Sequence, residues 1–127
     1  MRTCRTIVEE ACSDPDPWRG FRSVIERLAA LNVRNRGFVD AFLSLGPGSA
    51  ALAQHRRELL GMLDGLATRA KAQGRLRADF VIDDLVLMLL AGRGLWSVSP
   101  SRRSVAARRF AALTVDAFRA DGHRSLG

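Results

Sequence analysis

The chain has 127 residues, 47% of them hydrophobic and 26% charged, with 20 basic residues against 13 acidic ones and a formal charge of +7. That length fits one domain able to bury about two thirds of the surface its unfolded chain exposes. No apolar run reaches the ~18 residues that span a bilayer, because Asp83, Asp84 and Arg93 bracket the longest, and Met1–Thr6 lacks the apolar core of a secretory signal, so a cytoplasmic chain with no membrane partner is expected.

Residues 3–12 place Cys4, Ile7, Val8 and Ala11 at helical spacing, with Glu9 and Glu10 off the stripe. Ser13-Asp14-Pro15-Asp16-Pro17 breaks that helix and starts the next. Asp16 can accept from open first-turn amides, and Pro17 at the first helical position forfeits no hydrogen bond. The helix predicted over 17–34 carries Trp18, Phe21, Ile25 and Leu28 on one stripe, widened by Val24 and Leu31, and Asn35 and Gly37 end it. A short helix near 37–45 holds Phe38, Val39, Phe42 and Leu43 and stops at Gly46-Pro47-Gly48.

Ser49 caps a long helix over 49–73, striped with Leu52, Leu59, Leu63, Leu66 and Ala70. Gly74 stands where a helix ends in a left-handed residue, a conformation glycine adopts without steric cost. An apolar helix follows over 82–95, with Asp83 and Asp84 in its first turn, where carboxylates meet the helix's positive end. Its centre, Leu85 to Leu90, is apolar around the whole circumference. Beyond Trp96 and a turn at Pro100, a last helix over 102–120 sets Ala106, Phe110, Leu113, Ala117 and Ala120 on one stripe. The tail, 123–127, is expected to be disordered. The fold class is therefore all-α, a bundle of about six helices with no strand.

No enzyme constellation stands in this sequence. Asp83 and Asp84 are adjacent, so on a helix they point about 100° apart and do not face one another as an acid/base pair. Gly92-x-Gly94 lacks the strand and third glycine of a dinucleotide loop. His55 lies among Gln54, Arg56 and Arg57 with no carboxylate or cysteine arranged around it. Cys4 and Cys12 on one helix are roughly 12 Å apart along its axis, too far for a disulfide, and match no zinc spacing. Neither a catalytic residue, a metal ligand nor a cofactor is expected. The arginines run along the whole chain, densest at Arg56-Arg57, Arg75/Arg77, Arg102-Arg103 and Arg108-Arg109. With no tyrosine and no alternation of basic and aromatic residues, solvated helix faces explain them better than direct DNA reading.

Two features ask for more than a plain bundle. Trp18, Phe21, Phe38, Phe42, Met62, Met88 and Trp96 place aromatic rings and thioethers on the inner stripes. Such side chains either wall a cavity for an apolar ligand or fill an ordinary core. The second feature is the last pair of helices. An all-apolar helix beside an alanine-rich one leaves a face that needs a cover. Meeting a second copy about a two-fold axis would close a four-helix bundle.

The order of features resembles the carboxyl-terminal, ligand-binding and dimerisation domain of TetR-family transcriptional regulators. The resemblance rests on Asp14-Pro15-Asp16-Pro17-Trp18 opening a helix, Arg36-Gly37-Phe38, Arg69-Ala70, Gly74 with Leu76-Arg77 and Asp79, and Asp84-Leu85 before the leucine run. It covers residues 14–122, with 1–13 as the remnant of a linker helix; the family's helix-turn-helix head has no counterpart in those first residues. The resemblance implies a homodimer that senses a small apolar effector and contacts DNA only through a head supplied upstream. Its pocket would be lined by Phe21, Ile25, Phe38, Phe42, Met62, Leu66 and Met88. Its dimer interface would comprise Val86, Leu90, Ala106, Phe110, Leu113 and Ala117. The alternative is a stand-alone dimerisation module with neither ligand nor DNA binding of its own.

Overall fold

The computed structural model describes residues 2–39 and 50–120, apart from the side chains of Arg2, Thr3 and Leu52. Within them lie five α-helices: α1 (Arg2–Cys12), α2 (Pro17–Arg34), α3 (Ala50–Ala72), α4 (Ile82–Gly92) and α5 (Arg103–Phe118). Short 3₁₀ turns, Arg93–Ser97 and Pro100–Arg102, join the last two. No strand occurs among the described residues, only an isolated bridge between Leu76 and Arg119. No helix there is long and apolar enough to cross a membrane. The short helix expected near 37–45, the Gly46-Pro47-Gly48 loop, the Ser49 cap and the tail fall on or beyond the limits of the described residues.

α2 is the hub, packed against α1, α3 and α5. Its broad apolar face explains this: Trp18, Phe21, Val24, Ile25 and Leu28 are all fully enclosed. The helix begins where Asp16 accepts from the amides of Trp18 and Arg19, at 3.1 and 3.3 Å. α1 contributes Cys4, Ile7, Val8 and Ala11 to the core, and α3 contributes Leu59, Leu63, Leu66 and Ala70. α1 and α3 are tied at their surfaces by Arg5 and Glu58, 3.0 Å apart. α1 and α2 approach closely at Gly20, where an added Cβ would lie 2.4 Å from the carbonyl oxygen of Ala11.

Gly74 adopts φ 79°, and the amides of Arg75 and Leu76 then return to the Ala70 carbonyl at 3.2 and 3.3 Å. The chain next docks on the far end of α5. Arg77 N donates to Phe118 O and Ala120 N donates to Arg75 O, each at 2.9 Å. This joint brings Phe80 into an aromatic cluster with Phe21, at 5.2 Å between ring centroids, and Phe118, at 5.1 Å.

One expectation shifts in detail. The apolar helix stops at Gly92, and a 3₁₀ turn takes over, three residues short of the expected end. Gly92-Arg93-Gly94 is poor helix-forming sequence, and the Trp96 indole N–H donates to Asn32 O at 2.9 Å, drawing the turn onto α2. In α5 the core side is Ala107, Ala111 and Val115. On the other stripe Leu113 and Ala117 are exposed, while Ala106 and Phe110 are half-buried, Phe110 against the core. Alanine on both faces makes the two stripes nearly equivalent by sequence, and close packing on α2 selects the one with the smaller side chains.

Candidate functional site

α4 carries Asp84, Leu87, Met88 and Ala91 at spacings that align them on one face. α5 presents Phe110, Leu113, Thr114, Ala117 and Phe118 in the same way. Each helix is held chiefly by its packing on the rest of the bundle, and a groove of about 470 Å³ opens between these two faces. Its lining is apolar apart from Thr114 and one end, where Arg77 and Asp84 stand.

Both of those charged groups are engaged elsewhere. The buried Arg77 guanidinium donates to Asp79 Oδ1 at 2.6 Å and to the Ala117 carbonyl at 3.0 Å. The latter contact sets positive charge at the carbonyl end of α5. Asp84 Oδ2 accepts from the Val81 amide at 3.1 Å, capping α4 where Val81 has no side-chain acceptor to offer. Among the described residues no histidine, cysteine or serine lines the groove. Its described walls can therefore bind apolar surface. Among the described residues no cluster of three or more His, Cys, Asp or Glu is placed to hold a metal ion.

The groove belongs to a wider apolar surface. The most exposed large hydrophobic residues described are Leu87 (63%), Val105 (59%), Val81 (56%) and Leu113 (54%), and all four lie on α4, on α5 or at the α4 cap. A scatter of exposed hydrophobics is ordinary; their confinement to one helix pair is not.

The pocket candidates separate into distinct places. Phe21, Ile25 and Leu66 are fully enclosed in the core, and Phe38 is nearly so. Phe21 stacks on Trp18, with 6.1 Å between centroids, as well as meeting Phe80. Met62 is half-buried against the core, and its carbonyl accepts from the Cys12 thiol at 3.6 Å. Met88 lines the groove between α4 and α5. Phe42 lies outside the described residues.

Of the interface candidates, Phe110, Leu113 and Ala117 line the groove. Val86 and Leu90 pack half-buried against the core, while Ala106 borders a neighbouring hollow with Val105. Leu87, Ala91 and Thr114 are groove residues that the sequence reading passed over. An all-apolar helix does not declare which face is outermost. The one usable sign was Asp84, since the positions three, four and seven residues beyond it, Leu87, Met88 and Ala91, line the groove with it.

The cysteine thiols are ill-suited to reaction. Burial pushes Cys4 up to about 12 and raises Cys12 as well, so neither is a thiolate at neutral pH. No protein-family model matches the chain, and neither a curated protein nor a solved structure matches it significantly.

Proposed function

We propose that this chain is an effector-binding and dimerisation domain of the kind found in TetR-like transcriptional regulators, working in the cytoplasm as a homodimer and without enzymatic activity. The observation that carries the reading is that, among the described residues, the most exposed large hydrophobics and the apolar groove lie on α4, its cap and α5. A second copy is the occupant that fits. The same two-helix surface on both partners is self-complementary about a two-fold axis, and together they make a four-helix bundle. Leu87 and Leu113, which stand in water on one chain, would be covered by the other, each worth about 1.5–3 kcal/mol on full burial. A small apolar effector would bind among the middle helices, and DNA would be reached through a helix-turn-helix head carried on another segment.

Sedimentation of the Phe110→Glu, Leu113→Glu double variant tests the dimer. Both positions line the groove outside the core cluster's buried members, so the helical circular dichroism should persist while the mass falls from two chains to one. A helical wild-type chain that already sediments as a monomer would sink the interface.

One observation favours a second reading, the dimerisation module without a ligand. Phe21, Ile25 and Leu66 are fully enclosed and belong to the continuous core cluster. Native mass spectrometry of the chain purified from cells separates the two readings. Co-purified small molecules support the effector-binding domain, and a ligand-free dimer whose melting temperature no apolar compound raises supports the module.

A further inference from the structure

The apolar face of α4 and α5 carries unlike charges at its two ends. The helices run in opposite directions along the groove. At one end Asp84 stands with Arg77, whose guanidinium donates to the Ala117 carbonyl at 3.0 Å. At the other, a Cβ added at Gly92 would lie 3.4 Å from the Phe110 ring. Asp83 stands four residues before the exposed Leu87, and Arg109 four residues before the exposed Leu113. Each therefore shares its leucine's side of the helix, about 6 Å along the axis. Because α4 and α5 are antiparallel, those two steps lead to opposite ends of the face.

Neither Asp83 nor Arg109 lines the groove, so both stand on the outer rims of the face, at diagonally opposite corners. Both are exposed, and neither side chain is tied to a neighbour among the described residues. At the acidic corner Asp84 adds a second carboxylate, while Arg77 is matched by Asp79 and Arg119 by Asp116. At the basic corner Arg102 borders the same hollow as Arg109. The hollow on the α2 side of Arg109 holds Arg22 and Arg119 with Glu26 and Asp116, which offset one another. The exposed valines are divided in the same way, Val81 beside Asp83 and Val105 beside Arg109.

We infer that a second copy seats on this face with the acidic corner of each chain against the basic corner of the other. Asp83 of one chain and Arg109 of the partner subunit then form an ion pair, repeated by symmetry on the other side of the leucine contact. This rests on the dimer reading above and adds the orientation of the two chains. A two-fold axis along the diagonal itself would set carboxylate on carboxylate and guanidinium on guanidinium, which costs free energy. The apolar centre supplies the burial, and the charged rim selects the orientation. The same arrangement brings Val81 of one chain toward Val105 of the partner subunit.

Equilibrium sedimentation of the full chain at physiological salt, where charges farther apart than about 8 Å are screened, tests the orientation by the sign of each change. Asp83→Asn and Arg109→Gln should each weaken the dimer about two- to tenfold, since each removes one partner from both exposed pairs. Asp83→Arg or Arg109→Asp alone should weaken it further, and the two reversals together should return it to within about threefold of wild type. Circular dichroism follows the helices throughout; if Asp83→Arg unwinds the start of α4, the two neutral variants carry the test. A dimer strengthened by either neutral change, or left unchanged by both, would overturn the orientation while the dimer itself stands. A helical wild-type chain that is monomeric at every concentration would overturn both.

Discussion

Asp16 shows how much one side chain settles in this molecule. Its Oδ1 accepts from Trp18 N, from Arg19 N and from the Gln73 side chain at 2.8 Å, so it starts α2 and ties that start to the end of α3. The Gln73 hydrogen bond, with the two amides, holds its carboxyl below the usual value of 3.8, and the Arg19 hydrogen bond does the same for Asp14. Groups whose pKa is lowered by folding contribute stability above the unfolded pKa and lose it as pH falls through the folded one. The urea midpoint should therefore hold steady from neutral pH down to about 5 and drop below about 4. The Asp16→Asn variant, which keeps an acceptor but not the charge, should show a shallower drop; an identical acid profile would count against this account. Glycine positions make a sharper pair. Gly20→Ala places a methyl against the Ala11 backbone and should cost about 2 kcal/mol, and Gly74→Ala, at positive φ, about 1–2 kcal/mol, both read from urea unfolding.

Among the elements, the joint from Gly74 to Asp79 ties the C-terminal end of α5 to the segment after α3. Arg77 is buried, bonds Asp79 and the Ala117 carbonyl, and its amide reaches Phe118 O. Arg77→Ala leaves Asp79 and that carbonyl without their guanidinium partner and should destabilise by about 2 kcal/mol in urea unfolding. A change within about 0.5 kcal/mol, the range of ordinary surface substitutions, would mean that the joint carries little. The ends of α1, α2 and α3 were legible in the sequence to within a residue, since Pro15, Asp16-Pro17 and Gly74 give each boundary a local cause. α4 and α5 were legible as helices but not in their orientation. Leu85 to Leu90 offers apolar side chains in every direction, and α5 has alanines at 106, 107, 111, 112 and 117, so periodicity does not choose a face. That choice depends on packing against α2, which the local sequence does not contain. The groove was therefore only half visible: Phe110, Leu113 and Ala117 were read from the stripe, whereas Leu87 and Ala91 emerge from the fold.

At the scale of the whole molecule the described residues form one continuous core centred on α2, and one apolar surface stands apart from an otherwise charged exterior. That surface is the apolar face of α4 and α5. The arginines looked dispersed in sequence for a physical reason: α2 and α5 bring together residues more than sixty positions apart, such as Arg36 and Arg103 on the two sides of Trp96. The apolar face carries the central claim, and the mass of the wild-type chain in solution tests it most directly. Multi-angle light scattering over a range of concentrations should give twice the 13.9 kDa chain mass, falling toward one chain only on dilution. A helical chain that stays at 13.9 kDa at every concentration would contradict the account.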